Sequence, residues 1–162
     1  MSFLDSLFSG DGKRPLPIEL APGETERLRV VASKHPGGAS VGGDLVLTER
    51  RLVFTPLNVH GAVEALTWGL GKAGAPDVIA GIPAKLGGLV GNPVATELAA
   101  IATVERGNDA SMFKPPTIVV TGHNGARTEI GLLRSRGAFN GLRANNVARD
   151  RMLAAIREAL GR

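Results

Sequence analysis

The spacing of apolar residues divides the chain into alternating stretches and two kinds of helical stretch. In "TERLRVVASKH", Leu28, Val30 and Ala32 alternate with Arg27, Arg29 and Val31, the period-two pattern of a half-buried strand. The run "GDLVLTERRLVF", residues 43–54, sets Leu45 and Leu47 against Asp44 and Val46, breaks at Glu49-Arg50, and resumes at Leu52, Val53 and Phe54. It predicts a hairpin whose turn residues Thr48, Glu49 and Arg50 serve reversal and solvation. "TELAAIATVERG" predicts a further strand through Leu98, Ile101, Thr103 and Val104. "TIVVTGHNGARTEIGLL" predicts a hairpin around Asn124-Gly125, the preferred pair for a two-residue primed turn.

At the end of the chain the period changes. Met152, Ile156 and Leu160 fall on one helical stripe with Leu153 beside them, while Arg149 and Arg157 are expected to face away. Asn145 or Asn146 is the expected N-terminal cap of that helix. Between Asn58 and Ala95, Val63, Leu66 and Leu70 repeat at helical spacing, as do Val78, Ile82, Leu86 and Leu89. Two short helices are expected there, the second kinked or restarted at Pro83. The domain is expected to span 18–162, with residues 1–17 as a lead-in and 58–95 as an insertion.

Composition narrows the class. A chain of 162 residues with 43% hydrophobic content supports one globular domain. It has no cysteine, so disulfides and thiolate metal sites are excluded. The start "MSFLDSLFSG" lacks a basic cluster and carries Asp5, a poor secretory signal, and no apolar run is long enough for a membrane span. A cytoplasmic, bacterial protein is expected, the latter from the excess of arginine over lysine and the abundance of alanine and glycine.

Charge is unevenly placed. Residues 1–100 hold 9 Lys and Arg against 10 Asp and Glu, whereas residues 101–162 hold 10 against 5. That skew favours anionic surfaces, although an ordinary solvated arginine face is its simplest reading. His35, His60 and His123 are scattered, and no metal-ligand spacing, catalytic signature or phosphate-cradling loop occurs. No catalytic residue, metal or cofactor is expected. Aromatic residues are 4% of the chain, too few for base stacking, so nucleic acid is an improbable partner.

The stretch Pro22-Gly23-Glu24, then Gly43, Leu45, Leu47-Thr48, Arg51-Leu52 and Phe54, resembles the motif of the GRAM family, with Gly43 expected at the tight entry to its strand. The resemblance covers roughly residues 20–57 and 96–160. It implies a mainly β, pleckstrin-homology-like (PH-like) curved antiparallel barrel or sandwich, capped by the C-terminal helix. It further implies a non-enzymatic module for peripheral lipid association or protein docking at the inner face of a membrane. Lys34 and His35 are then the candidate headgroup loop, poorer in basic residues than phosphoinositide-binding relatives.

The helical insertion, residues 60–92, is the chain's most distinctive stretch. Trp68, Leu66, Leu70, Lys72, Ile82 and Lys85 are candidate contacts with an anionic membrane surface or a protein partner, and Arg134, Arg136 and Arg149 would add electrostatic attraction. Two other readings stand beside this one. The insertion folds back over the barrel with Trp68 in the core, or it forms the interface of a homo-oligomer.

Overall fold

The computed structural model describes residues 15–34, 41–57, 93–112, 114–135 and 141–161. Seven strands and a helix follow one another: β1 (Glu26–Lys34), β2 (Val41–Thr48), β3 (Arg51–Pro56), β4 (Val94–Glu97), β5 (Ile101–Arg106), β6 (Thr117–Gly122), β7 (Arg127–Leu133) and α1 (Leu142–Ala159). The strands form one antiparallel sheet in the order β4-β3-β2-β1-β7-β6-β5. The expected insertion lies almost wholly outside the described residues, but its last two positions, Val94 and Ala95, already belong to β4.

The chain itself requires that this sheet curl. β4 and β5 are its two edges, yet only the 3-10 turn Leu98–Ala100 joins them. Flat, seven strands would hold their edges roughly 29 Å apart at the usual strand spacing. The four peptide steps from Glu97 to Ile101 reach at most about 14 Å. The edges therefore converge at this corner. Leu98 is buried there and its N–H donates to the Arg50 carbonyl at 2.8 Å, while the His123 N–H donates to the Ala100 carbonyl at 3.0 Å. Register shifts between Glu26 and Leu28 in β1, and between Ile101 and Thr103 in β5, help the bend. This divides the single strand expected in "TELAAIATVERG" into two, because the chain must pass from one edge of the sheet to the other.

The concave face holds the core. Ala32, Leu45, Leu47, Leu52, Phe54, Ile118, Val120, Ile130 and Leu132 are buried on it, with Leu28 and Val30 partly buried beside them. From α1, Met152, Leu153 and Ile156 enter the same cluster, as the stripe predicts, and Leu160 packs at its margin. The helix touches β7, β5, β1 and β6. The outer face of β2 and β3 is covered as well. Thr55 donates its hydroxyl to the Leu16 carbonyl, the Leu16 N–H bonds the Pro56 carbonyl at 3.0 Å, and Pro15 bridges to Leu57. Pro15 to Pro17, expected in the lead-in, are thus part of the domain.

Three local expectations are corrected. Asn124 does not have the positive φ that both primed turns need at their first central residue, while Gly125 stands at +79°, so the β6–β7 reversal is not a primed turn. The Gly125 N–H bonds the Gly122 carbonyl and the Gly122 N–H bonds the Ala126 carbonyl, each at 2.9 Å. Those bonds describe a three-residue loop ending in a left-handed glycine. Helix α1 begins at Leu142, with Gly141 as an N-cap that makes no side-chain bond. Asn145 and Asn146 lie within the helix and tie loops to it, their Oδ1 atoms accepting the N–H groups of Arg134 at 3.0 Å and Ala110 at 2.9 Å. Gly43 sits inside β2 and not at its beginning; a Cβ there would overlap the Thr55 carbonyl oxygen.

Candidate functional site

The residues of the family-like motif meet in one polar knot and one apolar layer. Gly23, at φ +75°, turns the chain so that Glu24 points beneath the β2–β3 reversal. Arg51 donates from Nε to Glu24 Oε1 at 2.9 Å and from Nη2 to Oε2 at 2.8 Å, a two-pronged charge-assisted pair. The Thr48 hydroxyl donates to Oε1 at 2.6 Å and accepts the Arg51 N–H at 3.0 Å. The Ala21 N–H completes the set at 2.8 Å. The Arg51 guanidinium, then the Thr48 hydroxyl and the Ala21 amide, hold the Glu24 carboxyl down at about 2. Thr48 is therefore a buried joint, where reversal and solvation alone were expected of it. All of these groups are engaged with one another, which makes the knot a fastening and not a site.

A cavity of about 410 Å³ opens on the concave face. Its floor is made by Leu45 and Leu52 from neighbouring strands, Phe54, Val120 and Ile130. Thr96, Thr128, His123 and Asn124 stand around it as polar groups, and among the described residues no Asp or Glu lines it. Lys34 brings the charge. It ends β1, its Nζ lies 4.9 Å from the centre of the Phe54 ring, and burial lowers its pKa. It forms no ion pair among the described residues. The helix contributes nothing to the lining.

Lys34 was expected in a headgroup loop with His35. The structure instead turns it inward, and His35 lies outside the described residues. The signal for this was present in the sequence: the alternation Leu28, Val30, Ala32 carried one step further puts residue 34 on the same inner face. Phe54 and Leu45, read from the sequence as core, are both core and cavity floor.

A second candidate surface is the outside of α1. Arg143, Val147 and Arg151 follow at four-residue steps and are exposed, Val147 to 61%. Neither arginine forms an ion pair among the described residues. Arg151 shares a shallow groove with Arg27, which itself pairs with Glu158 at 3.3 Å. Arg134 is exposed just past β7.

Arg149 is a correction. Expected at the surface, it is fully buried, because its position on the helix faces the β5–β6 connection. Its Nη1 donates to the Asn108 carbonyl at 2.8 Å and to Asp109 Oδ1 at 2.9 Å, and its Nε to Asp150 Oδ1 at 2.8 Å. It fastens a loop to the helix and has no free charge to offer a membrane. Trp68, Leu66, Leu70, Lys72, Ile82, Lys85 and Arg136 lie outside the described residues. Among the described residues, no group of three or more His, Asp or Glu could hold a metal ion, and no helix is long and apolar enough to cross a membrane.

Comparison with known proteins bears on the fold. No family model matches the chain, and no curated protein matches it. A crystal structure described as the C-terminal domain of an unknown protein from Leishmania infantum is similar with a TM-score of 0.53. The two are 15% identical over 87% of this chain and 88% of that one. At that identity the likeness concerns the architecture alone.

Proposed function

We propose that the chain is a non-enzymatic module of PH-like fold, related to the GRAM family, that associates peripherally with an anionic lipid bilayer. The strand order β4-β3-β2-β1-β7-β6-β5, the short passage between its edges and the terminal helix support the PH-like reading. The family reading is supported by what the motif residues do. Glu24, Thr48 and Arg51 tie the segment before β1 to the first hairpin, and Leu45, Leu47, Leu52 and Phe54 line its inside.

The observation that carries membrane association is the stripe Arg143–Val147–Arg151, two cations with no ion-pair partner among the described residues flanking an exposed valine. A lysine or arginine close to an anionic leaflet contributes about 1 kcal/mol, and an apolar side chain between two of them adds shallow insertion.

Sedimentation with vesicles tests this. Phosphatidylcholine vesicles containing phosphatidylserine should carry the protein down, vesicles of phosphatidylcholine alone should not, and added salt should weaken the association. Arg143→Glu with Arg151→Glu should lower it more than tenfold. Equal binding to both vesicle types, or an unaltered double variant, would refute the proposal. A protein partner or self-association would leave both vesicle types without effect. Trp68→Ala in the same assay reports on the stretch outside the described residues.

A further inference from the structure

The concave cavity shares no residue with the α1 stripe, and its chemistry differs from that of a charged surface. Five large buried apolar side chains, Leu45, Leu52, Phe54, Val120 and Ile130, line it together with one lysine. Its volume of about 410 Å³ falls within the roughly 300–1,000 Å³ of small-molecule sites. A sheet interior needs no lysine. Position 34 falls on the inward parity of β1, where leucine or valine would simply have completed the core, and the ammonium lies over the Phe54 ring with no carboxylate among the described lining residues. Lys34 has no ion-pair partner among the described residues; desolvation disfavours its charged form, and burial lowers its pKa accordingly. An anion placed against Nζ would reverse that cost, and a hydrocarbon chain behind the anion would fill the floor.

We infer that this cavity binds a single-chain amphiphile with an anionic head, such as a long-chain carboxylate, its head paired with Lys34 and its tail laid against Phe54, Leu45 and Ile130. A polyphosphorylated headgroup does not fit the same chemistry, since it requires several cations and a polar floor. The threonines and Asn124 at the margin suit the head's remaining oxygen lone pairs. The tail supplies most of the affinity by leaving water, and Lys34 supplies the choice of head.

Calorimetric titration with dodecanoate, dodecanol and dodecylammonium, each below its micelle-forming concentration, tests the inference. Dodecanoate should bind one to one, dodecanol at least about tenfold more weakly, and dodecylammonium not at all. Shortening the acid should weaken binding roughly fourfold per methylene removed. Lys34→Met, which keeps the apolar stem, should bind acid and alcohol alike. Ala126→Trp stands on the exposed margin of the cavity, where it leaves the core intact, and should weaken every ligand. Dodecyl phosphate in place of dodecanoate separates the two anionic heads; saturable binding of either supports the inference.

Absence of saturable binding would overturn it, as would equal affinity of the parent protein for acid and alcohol, or an unchanged preference in Lys34→Met. The vesicle experiment is separable from this one. Arg143→Glu with Arg151→Glu should leave dodecanoate binding intact, and Lys34→Met should leave vesicle sedimentation intact.

Discussion

Arg149 offers the sharpest test of what holds the helix to the sheet. Its side chain is wholly enclosed, whereas its two carboxylate partners remain wet: the side chains of Asp109 and Asp150 are 66% and 48% exposed. The desolvation cost thus falls on the arginine alone, and attraction to solvated carboxylates is too screened to repay it in full. One nitrogen, Nη2, is buried with no hydrogen-bond partner among the described residues, which adds to the deficit. The favourable side is the packed stem and the bond to the Asn108 carbonyl. Arg149→Met keeps the stem's volume and removes both the charge and the orphaned nitrogen. Its stability should lie within about 1 kcal/mol of the parent. Arg149→Ala removes the stem too and opens a void under α1, at a cost of about 2–4 kcal/mol. At roughly 2–4 °C per kcal/mol for a domain of this length, the two variants should differ by several degrees in melting temperature. Thermal and urea denaturation followed by circular dichroism measure this directly. If Met destabilises as much as Ala, the charge network and not the packing of the stem holds the loop to the helix, and the reasoning is wrong.

Other outcomes follow from the same contacts. The Glu24 carboxyl is depressed from 4.5 to about 2, so its contribution to stability is complete above about pH 4.5 and lost as pH falls towards 2. Melting temperature should drop across that window. Glu24→Gln should flatten the drop relative to the parent and lower stability at neutral pH; an identical pH profile would contradict the knot. In Gly43→Ala the new methyl would meet the backbone of Thr55 and Pro56, and it should destabilise by about 1–3 kcal/mol in urea denaturation. Gly42→Ala is the control, since its methyl would lie 3.4 Å from Leu57 Cδ1, an ordinary contact, and should be tolerated.

Alternation made most of the sheet readable in the sequence. Leu28, Val30 and Ala32, with Leu45, Leu47, Leu52 and Phe54, are inside because neighbouring strands share one parity across a curled face. The stripe of Met152 and Ile156 likewise reported its own burial. Features that depend on partners far along the chain did not show. Arg149 looks like any outward helical arginine until the Asn108–Asp109 segment, some 40 residues earlier, is laid beside it. Thr48 looks like a turn residue until Glu24 arrives beneath it. The division between β4 and β5 follows from sheet closure, which no local pattern encodes. Lys34 is the instructive case, because its inward orientation was legible but a charge at the end of an apolar run reads as the run's end.

The strand order also bears on how the chain assembles. Five of the six pairings join strands consecutive in sequence, so β1 to β4 and β5 to β7 each form a meander by successive neighbours. Only the β1–β7 pairing, as between Val31 and Leu133, must await a closure spanning some hundred residues. Helix α1 touches strands of both meanders and follows all seven strands in chain order, so the clasp and its latch complete after the meanders. A chain severed within Leu98–Ala100 would retain every pairing inside each piece. Those two pieces are the natural halves for a fragment-complementation experiment on this protein.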